Sequence, residues 1–186
     1  LKDRVKKLLE IGIQNGGSLD IWRNYFPNVE LIVGSDIDNR CEHLVYDDTV
    51  KIIIGDVNSC SVHDKIVAES KDYDIIIDDG SHLSSDVIKS FILYFTLLSA
   101  EGVYIVEDIH CSYWPRFEGG VHAEKSSISF FKRIIDVVNF EHWHNTDHIR
   151  DFLDGYVDAV LNDDFIDALL YIKEITFVNS IVKIKK

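Results

Sequence analysis

Two short apolar runs that end in acid constrain this chain most: Ile75-Ile76-Ile77-Asp78-Asp79-Gly80-Ser81-His82 and Tyr104-Ile105-Val106-Glu107-Asp108. An apolar run of that length, bounded by turn residues, reads as a buried strand. Two parallel strands that both end in carboxylates bring those carboxylates to one edge of a sheet. That edge, beyond the carboxyl ends of the strands, is where open α/β sheets take ligands. Anions gathered there repel one another unless a cation lies between them. The pair of runs therefore predicts a hard divalent cation, with His82 close by as a base.

The rest of the chain alternates in the same way. Apolar runs predict strands at 7–13, 31–36, 50–55, 73–78 and 102–107. The third is rich in Ile, as a strand covered on both faces should be. Helices are expected from Gly16-Gly17-Ser18 to Phe26, at 64–69 and at 84–98. In the last of these, Val87, Ile88, Phe91, Ile92, Phe95 and Leu98 fall at helical spacing on one face. Residues 108–125 show no period and contain Gly119-Gly120, so they read as a long loop of the kind that lines binding sites. Ser126 or Ser127 can cap a helix to about residue 138. Residues 140–170 read as a partly helical insertion, and 171–178 with 181–185 as a hairpin through Asn179-Ser180. The expected fold class is α/β: a mostly parallel sheet, helices on both faces, and an antiparallel strand from the C-terminal hairpin.

Bulk properties narrow the function. At 186 residues the chain is one domain by length, residues 1–186. Its formal charge of -13 argues against nucleic acid or anionic lipid as a partner. Cys41, Cys60 and Cys111 form no CxxC pair, which argues against a disulfide framework or a zinc ribbon. No apolar run is long enough to span a bilayer, and no signal peptide is visible, so a cytoplasmic location is expected. The chain starts at Leu1 and has no Met, which fits a domain cut from a longer polypeptide.

Glu10-Ile11-Gly12-Ile13-Gln14-Asn15-Gly16-Gly17-Ser18 closes the first strand and opens the first helix. Glycines there let the backbone approach a ligand. The dinucleotide fingerprint needs a glycine where this chain has Gln14, which argues against a nicotinamide dehydrogenase. Asp36 ends the second strand, where a carboxylate can accept hydrogen bonds from a ribose diol. Gly55-Asp56 ends the third on the same edge.

In order, ExGxxxGGS, GSDID, GD, YDIIIDDGSH and YIVEDIHCSYW resemble class I S-adenosylmethionine-dependent methyltransferases, with their Rossmann-like sheet. More closely, they resemble the macrocin-type and rhamnosyl sugar O-methyltransferases, and the closing ITFVNSIVKIKK resembles that family's terminal hairpin. The resemblance covers residues 8–109 and the last strands. It implies that Glu10, Gly12, Ile13, Gly16 and Ser18 hold the methionine part of S-adenosylmethionine. It implies Asp36 at the ribose, Asp56 and Val57 beside the adenine, and Asp78 near the cofactor. Asp79, Glu107 and Asp108 would bind Mg2+ or another divalent cation, with Asp79 also catalytic. His82 would be the general base, and His110, Tyr113 and Trp114 would line the acceptor pocket. The implied acceptor is a sugar or glycan. A homo-oligomer or a fusion to other glycan-processing domains stays open.

The chemistry is consistent with those roles. A sugar hydroxyl is a poor nucleophile at neutral pH, and a metal beside it stabilises its charge. An imidazole with pKa near ~6.5 can take its proton. A catechol-like diol would use the same metal logic, and a binding module that keeps the cofactor fold without turnover is a third reading. His142, His144 and His148 read as surface histidines rather than a second metal site. Asp163-Asp164 reads as a solvated turn.

Overall fold

The computed structural model describes residues 2–144, 148–156 and 163–186. Seven strands form one sheet: β1 (Lys7–Ile11), β2 (Leu31–Asp36), β3 (Val50–Ile54), β4 (Tyr73–Asp78), β5 (Leu98–Val106), β6 (Glu174–Val178) and β7 (Ile181–Lys185). Their order is β3-β2-β1-β4-β5-β7-β6. β1 to β5 run parallel, β7 lies antiparallel to β5, and β6 pairs antiparallel with β7 at the edge. The expected α/β class and hairpin are both present.

Alternation along the strands divides the core between the two faces. Leu8, Ile75 and Ile77 pack with Leu19 and Trp22 of α1 (Gly17–Tyr25) and with Phe26, its C-cap. Leu9, Ile76 and Tyr104 pack on the other face with α2 (Cys60–Glu69), α3 (Ser84–Tyr94) and α4 (Ser127–Val137). Phe91 is the hub of that second layer, edge-on to Tyr104, Phe130, Phe131 and Phe165. Fully buried aromatics meeting edge to face add to plain burial by about 0.5–1.5 kcal/mol a pair.

Several boundaries differ from expectation, each for a local reason. β1 ends at Ile11, not Ile13, because Gly12 turns the chain at φ 86°. α2 begins at Cys60, earlier than expected, because the Ser59 hydroxyl caps it by accepting from the Val62 amide. α3 stops at Tyr94, and a 3₁₀ turn at Phe95–Leu97 leads straight into β5. Leu98 thus belongs to the strand, pairing with Tyr73 across a register shift. The presumed loop 108–125 holds two 3₁₀ turns, Ile109–Tyr113 and Pro115–Phe117. Within 140–170 the described helical elements are a 3₁₀ turn at Phe140–His142, α5 (Ile149–Phe152) and α6 (Asp163–Leu169). Asp163 and Asp164 open α6 rather than forming a turn, where acid suits the helix dipole, and Asp163 also pairs with Arg150 at 2.6 Å. β6 starts at Glu174, later than residue 171. Among the described residues, no helix is long and apolar enough to cross a membrane.

From β1 the chain moves outward through β2 to β3, and from β4 it moves the other way to β5. The seam between β1 and β4 is therefore the topological switch point, where such sheets bind ligands at the carboxyl ends of their strands. Hydrogen bonds carry the ladders one step past the strands there: Gly12 N to Ser35 O at 2.8 Å, Asp79 N to Ile11 O at 2.9 Å, and Glu107 N to Asp78 O at 2.9 Å.

Candidate active site

At the switch point lies a cavity of about 590 Å³, within the range of small-molecule sites. Of the residues singled out from the sequence, Gly12, Asp36, Asp56, Val57, Asp78, Asp79, His82 and Asp108 line it. Glu10, Ile13, Gly16, Ser18 and Glu107 stand outside the lining.

The glycine loop is held by Asp36. Its Oδ2 accepts from the amides of Ile13 (3.0 Å) and Gln14 (2.8 Å), and its Oδ1 accepts from Asp38 N at 2.9 Å. This carboxylate therefore shapes the loop as well as facing the cavity. Ile13 is buried and contributes its backbone. Gly16 sits at φ 78°, and its carbonyl accepts from the Tyr46 hydroxyl at 2.9 Å. Gly12 permits the closest approach, since an added Cβ would lie 2.1 Å from the Asp79 carbonyl oxygen.

Glu10 lies beneath this loop, 3% exposed. Its hydrogen bonds come from neutral donors, Trp22 Nε1 at 2.9 Å and the Ser18 side chain. Burial lifts its pKa to about 7, against an ordinary 4.5. A raised carboxyl pKa means the folded state holds the proton more tightly than the unfolded chain. The resulting penalty is absent below the unfolded pKa, grows as pH rises, and is complete above about 7. Glu10→Gln keeps an acceptor oxygen for Trp22 and removes the charge. It should therefore raise stability at pH 8 by on the order of 2–3 kcal/mol, with the gain shrinking toward pH 5. Urea unfolding at both pH values checks this, and an equal gain at both would show that Glu10 does not titrate here.

The second half of the site is the acidic edge. Asp79, His82 and Asp108 each offer a ligand atom, and these atoms all lie within 4.8 Å of one another. Burial, and then the Asp108 charge, raise the Asp79 pKa to about 6. Glu107 is also raised, by burial first and then by Asp79 and Asp108. Two carboxylates facing each other with a third beside them suit a hard cation that takes oxygen ligands. Glu107 faces Asp79 electrostatically but lies outside the tight trio, where His82 stands instead. Asp78, buried at the end of β4, is raised to about 7 chiefly by burial, and the Gly80 amide donates to it at 3.3 Å.

His82 adopts φ 59°, a left-handed conformation unusual for a residue with a Cβ. The turn around it is tied by the Ser81 hydroxyl, which donates to Asp86 Oδ2 at 2.6 Å and accepts from Leu83 N at 3.3 Å. Phe117 packs edge-on against the imidazole, centroids 6.3 Å apart. Burial lowers the pKa of His82, so the neutral ring that can accept a proton prevails at pH 7.

The acceptor residues expected from the sequence do not share that cavity. His110 and Tyr113 line a second one of about 430 Å³, between α4 and the terminal hairpin. Trp114 is 41% exposed and packs against His110, Phe117 and the Arg116 guanidinium. Several wall residues, including Gln14, Ile37, Asn58 and Ser90, belong to no motif in the sequence that marks them as ligand contacts. Only their position just beyond strand ends, or on the cavity face of α3, could have signalled them. Ser35, at the end of β2, also lines the cavity, and its buried Oγ has no hydrogen-bond partner among the described residues. A buried hydroxyl left unsatisfied at a cavity wall is a ready contact for a polar ligand. His142 and His144, on the exposed surface, and His148 lie outside the trio.

No family model matches the chain. Among curated proteins, it is 34% identical over 143 residues to the 8-demethyl-8-alpha-L-rhamnosyl tetracenomycin-C 2'-O-methyltransferase of Streptomyces olivaceus, covering 73% of this chain and 37% of that protein. It is 32% identical over 145 residues to the mycinamicin VI 2''-O-methyltransferase of Micromonospora griseorubida, covering 73% of this chain and 36% of that protein. Its fold matches the MycE methyltransferase from the mycinamycin biosynthetic pathway, in complex with Mg and SAH. That match has a TM-score of 0.79 and 26% identity, and covers 100% of this chain and 46% of that one. The chain thus spans little more than a third of the length of the curated relatives it matches. By sequence and by fold together, the chain belongs to the class I methyltransferases of the macrocin-type and rhamnosyl sugar O-methyltransferase family.

Proposed function

We propose that the protein transfers a methyl group from S-adenosylmethionine to a sugar hydroxyl, on a glycan or glycosylated natural product, with help from a divalent cation such as Mg2+. The observation that carries this reading is the convergence of Asp79, His82 and Asp108 on the rim of a switch-point cavity. The relatives named above, two sugar O-methyltransferases and a structure holding Mg and SAH, support it. We read the 186 residues as one methyltransferase domain acting inside the cell, where its methyl donor is made.

When bound, S-adenosylmethionine would supply the methyl group, its sulfur leaving as the acceptor oxygen takes the carbon, and a divalent cation would make the acceptor hydroxyl more acidic. The residues of the chain do the remaining work. The glycine loop, with Gly12, Ile13, Gly16 and Ser18, would seat the methionine part, and Glu10 beneath it would face its positive charge. Asp36 would hold the ribose, with Asp56 and Val57 beside the adenine and Asp78 at the cavity floor. Asp79 and Asp108 would hold the cation, with Glu107 adding negative charge. His82 takes the hydroxyl proton onto an imidazole nitrogen. His110, Tyr113 and Trp114, which stand outside the cavity, would meet only a part of the acceptor that extends beyond it toward the Ile109–Phe117 segment.

The test is methyl transfer from labelled S-adenosylmethionine to a rhamnosylated acceptor. Transfer should occur with Mg2+, disappear in EDTA, and return when Mg2+ is added in excess. Transfer that persists unchanged in the chelator would remove the cation from the reaction.

A further inference from the structure

We propose that Ser180, in the turn between β6 and β7, is a positioning residue that fixes Asp108 for cation binding; this rests on the cation reading above. Asp108 needs such help. It sits at φ 50° and ψ 30°, and its side chain makes no cap hydrogen bond to the 3₁₀ turn that follows. That side chain is 52% exposed, so local structure leaves it free to rotate. The Ser180 hydroxyl donates to Asp108 Oδ1 at 3.3 Å. Ser180 Oγ also lies 2.6 Å from His110 Nδ1. His110 Nδ1 also stands 3.7 Å from Asp108 Oδ1.

The three side chains form a closed triangle anchored on the hairpin. A backbone bond, Ile109 N to Ser180 O at 3.0 Å, ties the same two segments independently of the hydroxyl. The hydroxyl can therefore be removed without releasing the loop. Ser180 also stands at φ 69°, where a Cβ is strained and glycine is not. That difference separates positioning from stability.

The experiment measures Mn2+ binding by electron paramagnetic resonance of the free ion, on wild type, Ser180→Ala, Ser180→Gly and Asp108→Asn. Both Ser180 variants should bind Mn2+ about three- to tenfold more weakly, the scale of one exposed charge-assisted hydrogen bond. Ser180→Gly should melt no lower than wild type, and both variants should keep SAH affinity within about twofold. Wild-type Mn2+ affinity in both, a loss confined to Ser180→Ala, or a parallel loss of SAH binding would overturn the positioning role. If wild type binds no Mn2+, or Asp108→Asn binds as well as wild type, the cation reading itself fails, and the proposal with it.

Discussion

Replacing His82 by alanine should lower methyl transfer by about 10²–10⁴-fold, the usual contribution of a positioned general base, while SAH affinity stays within about twofold. The expectation follows from where the ring sits. His82 follows β4 by four residues, on a turn tied by Ser81 and Asp86, and it faces the cavity beside Asp79 and Asp108. Its lowered pKa leaves it neutral and able to accept a proton. His82→Asn is the control variant, because Asn tolerates a left-handed backbone better than most residues and carries no base. Both variants should lose turnover alike. Cation affinity distinguishes the two roles open to a ring in this trio. A base leaves Mn2+ binding nearly unchanged, whereas a ligand would weaken it as strongly as Asp79→Asn does. Unchanged turnover would remove His82 from the chemistry altogether.

Gly12→Ala should be among the most damaging single-methyl additions in this fold. Two effects combine. The residue sits at φ 86°, where a Cβ costs about 1–2 kcal/mol. The new methyl would lie 2.1 Å from the Asp79 carbonyl oxygen and 2.9 Å from Gly80 Cα, and both obstacles are backbone. Relief requires the Asp79–Gly80 turn to move, at a further cost of about 1–3 kcal/mol. The sum, about 2–5 kcal/mol, corresponds to a drop of roughly 5–20 °C in Tm for a domain of this size. Because that turn carries both Asp79 and His82, the variant should lose SAH binding and cation binding together. A variant that melts and binds like wild type would show that the two loops are not packed as described.

The sheet was legible because each strand announces itself. Leu31–Asp36, Val50–Ile54, Tyr73–Asp78 and Ile181–Lys185 are apolar runs closed by turn residues or charge, and their order follows from alternation with helices. The site was legible to the extent that it sits at strand ends: Gly12, Asp36, Asp79, His82 and Asp108 all follow or close a strand, and all meet at one cavity. The trio's composition was less legible. Glu107 directly precedes Asp108, so sequence treats them alike, yet the chain leaves the strand after Val106 and turns left-handed at Asp108, and only Asp108 joins Asp79 and His82. The start of α2 was missed because its first residues, Cys60 and Ser61, carry no apolar period. The start of β5 was hidden because Phe95 and Leu98 extend the helical pattern of α3 into a 3₁₀ turn and a strand. The triangle joins Ser180 to His110 and Asp108, seventy and seventy-two positions away, and no local pattern encodes it.

The proposed reaction requires that the cavity between β1 and β4 seat a nucleoside-bearing donor beside a cation. Calorimetric titration of the protein with S-adenosylhomocysteine, with Mg2+ and without it, tests that most directly. One saturable site per chain is expected in both conditions, with Mg2+ binding detectable separately and lost in Asp79→Asn. A flat titration with S-adenosylhomocysteine, in protein that melts cooperatively, would contradict it.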